Sequence, residues 1–543
     1  MLNYGVTPTC DEVLQIVQWK HFCIRSCILI AWLIMALWLN FDKPVTKTII
    51  LSIVCICAIE ATYAVMQLYG LSWSHHTLYK QTGSFYNPGP LGGFLAVGFV
   101  VTLYLLLHEK HLSTSNQQII NIKTLKTSLT HKHLYYATIA IIILIAMVLP
   151  STMSRTAWFA ALCGSLYIVA NSTNWRRFLP RKKWQKTIFT TCIAVLIAIT
   201  TIGAWHLKSG SAIGRVFMWK ISTIAVANSP LIGHNNFKHA YAEAQEQYFE
   251  ECGSNSDGTI NANEFFVNAA GCPDYAFNEY LNIAVEYGIP VLLCILLFIT
   301  STIIVGHRNK QHEMVGGTIT IMIFALASYP IHLPVFVALL LLLILGCWWN
   351  TIIANKTHKV IATFTMLIIG LLCFVNIAPT IQKEIALREW GKVQHFYSMK
   401  SYDTACYHDS ILYNRMKWNG RFLYEYGHAL HNIKRYNQSN KILHEADLLL
   451  NDPMTLNVIG KNYQMLGMYQ KAEYYYTKSA NRVPNRLYPH YLMFKMYSDT
   501  INYNYFKAKH AANIIINKQV KIESDATKQM IHEAKVFLEK NDF

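Results

Sequence analysis

Two arginines and a short acidic run stand out as chemically capable. Arg155 lies in "PSTMSRTAWFAA" (150–161), Arg215 in "IGRVFMWKISTIAVANSPLIGHNNFKHAY" (213–241), and the acids in "DYAFNEYLNIAVEYGIP" (274–290). A guanidinium grips phosphate oxygens in pairs, so fixed cations beside a membrane suit a phosphate or diphosphate ligand. Phe217, Ile221 and Ile224 recur at i, i+4 and i+7, which predicts a surface-lying amphipathic helix over 214–227 with Arg215 and Lys220 near its polar side. The turn Pro230–Gly233 then delivers His234, Lys238 and His239. In the acidic run, Pro273 and Asp274 read as a helix start, and Glu279, Asn282 and Glu286 share one helical face. An acid such as Glu286 deep in a span costs about 2.5–3.5 kcal/mol on insertion scales, so it must face protein or a wet cavity. Glu60 invites the same argument. A fourth stretch, "QTGSFYNPGPLGGFLAVGF" (81–99), offers Asn87 in a turn-rich approach to a span, with Gly92 and Gly93 on a packing face. Each feature has a plainer reading: a lone arginine at a helix end snorkels, and a surface histidine is merely solvated.

The elements that hold these residues are membrane helices. The 543-residue chain is 53% hydrophobic and 14% charged, against about 25% charged in a soluble domain. Its mean hydropathy is +0.23. Apolar blocks, each long enough for a hydrocarbon core of about 30 Å, predict about ten spans. They fall near 22–41, 48–69, 91–108, 134–150, 156–171, 188–206, 281–306, 315–330, 333–350 and 360–378, the fifth and eighth being short. The N-terminus lacks the pattern of a cleaved signal peptide. The net charge of +17 does not point to nucleic acid, because basic residues gather at 109–133, 174–186 and 307–310, in loops of one parity, and in the tail. The positive-inside rule puts those loops in the cytoplasm. The long loop 207–280, the N-terminus and the tail then lie outside. Most of the 13 cysteines sit in spans as small core residues, but Cys252 and Cys272 share the outside loop, where an oxidising compartment permits a disulfide. No spacing of Cys or His suggests a metal site.

After Pro379 the chain turns polar and repeats itself. "YGHALHNIKRYNQSNKILHEA" (426–446) aligns with "IGKNYQMLGMYQKAEYYYTKSA" (459–480). Gly460, Tyr463, Gly467, Tyr469, Ala472, Ala480 and Pro484 fit the tetratricopeptide pattern, with degenerate copies expected at 385–420 and 490–540. The predicted class is all-α. A membrane bundle with its periplasmic loop fills 1–380, and an α-solenoid able to bind a protein partner fills 381–543.

The four membrane-side stretches, in this order, resemble the superfamily of O-antigen ligases, O-antigen polymerases and bacterial protein O-oligosaccharyltransferases. The resemblance covers about 80–380 and rests on "TGSFYNPGPLGGFLA", "MSRTAWFA", "GRVFMWKISTIAVANSPLIGHNNF" and "FNEYLNIAVEYGIP". It implies a multi-pass enzyme of the bacterial inner membrane, independent of metal and cofactor. Such an enzyme takes a glycan from undecaprenyl diphosphate at the periplasmic face and passes it, with inversion, to a hydroxyl of lipid A-core, a growing glycan or a protein. By position, Arg155 and Arg215 would hold the diphosphate and stabilise the leaving group. Asn87 and Asn278 would shape the pocket, and Lys220, Lys238, Asn282 and Glu286 would line it. Two departures matter. Phe277 stands where the family has its histidine base, and Gly233 is followed by His234 and Asn235 rather than a second glycine. The base is then Glu279, a histidine displaced in sequence (His234, His239 or His332), or absent.

Two other classes compete with the transferase. A secondary transporter would also use intramembrane acids, but it should show two similar halves, and none is visible. An inactive anchor presenting the repeat domain fits Phe277, though not the two retained arginines.

Overall fold

The computed structural model describes residues 9–38, 45–76, 78–115, 122–171, 184, 187, 191, 209–253, 260–518, 520 and 523–541. Among them, every regular element is an α-helix or a short 3₁₀ turn. Six helices among the described residues are long and apolar enough to cross a membrane: Gln15–Trp38, Val45–Leu68, Pro88–His108, Glu279–Arg308, Pro334–Ala354 and Lys356–Ser398. Tyr135–Ser151 and His312–Ala325 are shorter apolar helices, and Arg155–Asn171 has 17 residues. The expected span near 188–206 and most of the basic segment 174–186 lie outside the described residues.

The short helices stay short for packing reasons. His312–Ala325 is buried along most of its length, with Met314, Val315, Ile321 and Phe324 in the core. It stops well before 330 because the chain turns into the 3₁₀ segment Pro330–His332. Small residues let its neighbours close in: a Cβ at Gly93 would run into the Phe324 ring, and one at Gly92 would lie 2.8 Å from Thr152 Oγ1. Phe85, Phe94, Phe324 and Phe336 interlock beside them.

No break separates membrane part from tail. The helix Lys356–Ser398 runs on through Pro379, so the expected boundary at 380 falls inside a 43-residue helix. The first helix lies antiparallel to it, fixed by Lys20 to Glu384 at 2.6 Å and by Trp38 Nε1 to Thr363 Oγ1 at 2.9 Å. Its start reaches the tail, where Glu12 accepts from Asn419 at 2.6 Å. The N-terminal end of the chain and the tail therefore share one side.

The tail is a succession of short helices from Tyr402–Met416 to Asp525–Asn541, each packed on its neighbours. Its turns recur with the predicted period. Lys400 (φ 61°), Lys434 (φ 64°) and Gly467 (φ 73°) occupy the same left-handed position at the ends of alternate helices. The next amide in each case closes the same bond, Ser401 to Phe396, Arg435 to Leu430 and Met468 to Tyr463, at 2.8–2.9 Å. This is the cap a helix end needs to satisfy its last carbonyls. Gly427 and Gly460 take matching places, admitting Leu443 and the Tyr476 ring.

The tail also grips the central loop. Helix Phe237–Cys252 lies against Tyr469–Arg482. Arg482, fully buried, reaches Glu246 at 2.5 Å and Asp447 at 2.6 Å. Gln245 donates to the Arg482 carbonyl, Asn236 donates to Leu448 O at 2.9 Å, and Asn451 donates to Pro273 O at 2.6 Å. The expected disulfide does not form, and both Cys252 and Cys272 are free thiols. Gln245 holds Gly271 O at 3.1 Å, so Cys272 runs beside that turn of the helix. Cys252 lies seven residues further on, about 10 Å along the axis, beyond the roughly 7 Å Cα reach of a disulfide.

Candidate active site

The site is assembled where three polar turns meet on the tail side of the membrane helices. The first is 81–87. Gln67, buried near the end of its helix, accepts from the amides of Thr82 and Gly83 at 2.8 and 2.7 Å. Glu60 accepts from Ser84 through its amide at 3.0 Å and its hydroxyl at 2.5 Å. Glu60 therefore serves as an anchor for this turn. Asn87 comes after it, accepting from Gly89 N at 2.9 Å and bonding the Tyr329 phenol.

The second turn interlocks the central loop with a break in helix Glu279–Arg308. Gly288 has φ 82° and ψ 168° inside that helix, just before Pro290. The freed backbone groups are taken up by the Pro230–Asn235 turn. His234 N bonds Val285 O at 2.8 Å, Asn235 N bonds Glu286 O at 2.9 Å, and Ile289 N bonds Pro230 O at 2.8 Å. A Cβ at Gly233 would strike the Glu286 carbonyl, and one at Gly288 the Leu231 carbonyl. The paired motifs "PLIG" and "EYG" are thus one joint, held by glycine on both sides. Glu286 accepts from the Phe237 amide and bonds Asn282 within it.

The third turn is 274–279. Trp219 Nε1 donates to Ala276 O at 3.1 Å, and buried Asn282 accepts from Ala276 N at 3.2 Å. Phe277 is thereby held at φ 49°, a left-handed backbone that bulky residues rarely adopt. Asn278 caps the following helix, accepting from Tyr280 and Leu281 amides at 3.0 and 3.1 Å. That capping role, rather than a pocket role, accounts for its side chain.

Arg215 projects from the amphipathic helix, observed as Ser209–Asn228 with Phe217 and Ile221 buried as predicted. Its guanidinium lies 5.7 Å from the Phe277 ring and 3.5 Å from Oγ1 of Thr156, the residue after Arg155. Burial, and then the charge of Arg155, pull the Arg215 guanidinium below its ordinary value. Two like charges brought together at that cost form an anion-seeking pair.

On the other side of Phe277, Tyr329 meets its ring edge-on at 5.3 Å and stacks on Tyr275 at 5.1 Å. Tyr275 in turn covers the His332 ring at 4.2 Å. Glu279, 2% exposed, accepts from Ile331 N at 2.6 Å and faces His332 Nδ1 at 3.3 Å. Burial raises both phenols, that of Tyr275 to about 12, so neither is ionised near neutral pH.

Several expected residues are engaged elsewhere. His234 points its Nε2 at Ala225 O, 2.9 Å away. His239 bonds Asp447 O at 3.1 Å at the tail contact, and its hydrogen bond to Glu243 holds it above its usual range. Lys238 pairs with Asp274 at 2.6 Å. Lys220 lies over the Tyr248 and Phe266 rings at 4.4 and 5.1 Å. Missed in the sequence were Tyr275, Tyr329, Gln67 and Thr156. Tyr329 begins "YPIHLP", a hairpin whose proximity to Phe277 no local pattern reveals.

Residues 139–296 match the family model described as O-Antigen ligase. No curated protein and no solved structure matches the chain. The matched segment carries Arg155, Arg215, Phe277 and Glu279, and it supports an O-antigen ligase-type enzyme in this multi-pass, helical membrane protein. Asn87, His332 and the tail lie outside it.

Proposed function

We propose that the chain transfers a glycan from a lipid-linked diphosphate, of the undecaprenyl type, to an acceptor hydroxyl at the periplasmic face of the inner membrane. The observation that carries this reading is the half-buried neighbourhood of Arg155 and Arg215, with Arg215 3.5 Å from Thr156 Oγ1 next to Arg155 in the chain. Neighbouring guanidiniums bind diphosphate oxygens and offset the negative charge that develops as the sugar leaves. The O-Antigen ligase match over the same residues supports the same chemistry. A lipid A-core acceptor is the leading case, and a growing polysaccharide or a protein hydroxyl are its alternatives. The tail is read as a tetratricopeptide-like solenoid outside the membrane. Its turn period supports that reading, as does the common side it shares with the N-terminal end.

A deletion strain complemented with the full chain tests this. Arg215→Ala, at normal protein level, should remove the glycan product. Loss of all banding above the lipid core indicates a ligase, a single short repeat a polymerase, and altered glycoproteins a protein-directed enzyme. Unchanged glycans in an Arg155→Ala, Arg215→Ala double variant would overturn the transferase and leave the scaffold reading.

A further inference from the structure

We propose that His332, aimed by Glu279, is the general base of this transfer and takes over the task that Phe277 cannot perform; the inference rests on the glycan-transfer reading above. Phe277 keeps an aromatic wall between Arg215 and Tyr329, but its ring accepts no proton. One continuous wall runs from there through Tyr329 and Tyr275 to His332, each ring centre 4.2–5.3 Å from the next. The base has moved along that wall, from the 274–279 turn to the 330–332 hairpin.

The local geometry suits a base. A carboxylate only accepts hydrogen bonds, so Glu279 fixes the proton of His332 on Nδ1 and leaves Nε2 with its lone pair. Glu279 itself is 2% exposed and already accepts from Ile331 N, which makes it the positioning residue. The His332 side chain is 24% exposed, open to an incoming hydroxyl. Ionisable groups facing it are Glu279 and Glu286 from the helix and Tyr275 from the turn before that helix, with Tyr329 stacked on Tyr275. The competing histidines are committed, His234 to Ala225 O and His239 to Asp447 O.

In the step, the acceptor O–H proton passes to His332 Nε2 while its oxygen bonds the anomeric carbon. The bond from that carbon to the diphosphate oxygen breaks, and its electron pair leaves on the diphosphate, held by Arg155 and Arg215. The imidazolium then gives its proton to water.

The test uses full-length variants in the deletion strain, at matched membrane levels. His332→Ala should lower glycan transfer ~100-fold or more, the usual worth of a general base. Phe277→His added to it should return at least ~10-fold of that loss, since a histidine then stands in the wall again. Normal glycan in His332→Ala, with loss in Arg215→Ala, overturns this inference and leaves the transferase reading intact. Normal glycan in both variants overturns the transferase reading itself. Absence of glycan from both His332→Ala and the double variant also overturns the inference, because a transferable base function would have been restored. With purified protein and lipid-linked glycan extracted from the same cells, Glu279→Gln should lower kcat and leave the donor KM unchanged. A raised KM with intact kcat overturns its positioning role.

Discussion

Removing Arg482 should undock the central loop from the tail. Its guanidinium is fully buried between Glu246, on the loop helix, and Asp447, on the tail. Burial alone would pull the guanidinium down, but the two acids together outweigh it and hold it above its ordinary value. Arg482→Met strands Asp447 and leaves Glu246 with only Lys478, 3.5 Å away, in a dry contact where each acid is under 9% exposed. Breaking a buried pair in this way costs roughly 3–5 kcal/mol. One of its own donors, Nη2, is buried with no partner among the described residues, which takes about 1–3 kcal/mol from the native cluster. The lower end, about 3 kcal/mol, is the reasoned figure, or roughly a 100-fold shift toward the undocked loop. Limited proteolysis of the full-length protein in detergent should then cut 237–252 far faster than in the parent. The shift should persist in high salt, since buried pairs are little screened. Replacing all three charges with apolar residues of similar volume should restore most of the protection. Parent-like proteolysis of Arg482→Met at pH 7 would refute the argument.

Two further outcomes follow from particular residues. Burial raises Asp409 to about 8 and Glu425 to about 7, and Asp409 Oδ1 has no hydrogen-bond partner among the described residues. A raised carboxyl stabilises the fold below its unfolded value near 4 and loses that contribution as pH rises through 7–8. Each unit is worth about 1.4 kcal/mol, so Asp409→Asn should raise the unfolding free energy of the full chain at pH 8.5 by an amount on the order of a few kcal/mol, and by clearly less at pH 5. Equal values at pH 8.5 would count against the buried acid. Gly288→Ala should cost about 1–3 kcal/mol through its left-handed backbone, with more from the clash at Leu231, and open the 230–235 joint to protease. An unchanged cleavage rate there would show that the joint tolerates a side chain.

The sequence was most legible where one periodicity ruled. Apolar runs marked the long helices, the i, i+4, i+7 stripe placed Phe217 and Ile221 inward, and the tail repeat anticipated the turns at Lys434 and Gly467. What escaped was contact between segments distant in the chain. Asn278 carries a side chain that suits substrate binding, yet its bonds go to local backbone, and Glu60 is taken up by Ser84, 24 residues away. His234, His239 and His332 looked equivalent as displaced bases, and only folding shows that one of them meets Glu279. Cys252 and Cys272 share a loop, but the register of Gln245 against Gly271 keeps them apart. Pattern reveals which face is apolar. It carries no information on which polar groups become neighbours.

The docked tail alters what the helical repeats mean for the site. Asn236 caps the loop helix through Lys238 N at 3.0 Å while its amide donates to Leu448 O of the tail. The next residue, Phe237, gives its amide to Glu286 at the broken membrane helix. That same helix begins with Glu279, three residues after the segment that Trp219 holds by Ala276 O. The tail, the joint at Gly233 and Gly288, and the turn carrying Phe277 are therefore linked by consecutive hydrogen bonds through short, well-packed elements. The two backbones approach so closely at the joint that a carbonyl fills the Cβ space at both glycines. The joint thereby ties the tail contact to the helix that begins at Glu279. A catalytic site that needs two arginines and a histidine at fixed separation gains from such a brace, since misplacement of about 1 Å can cost a factor of about 100 in rate.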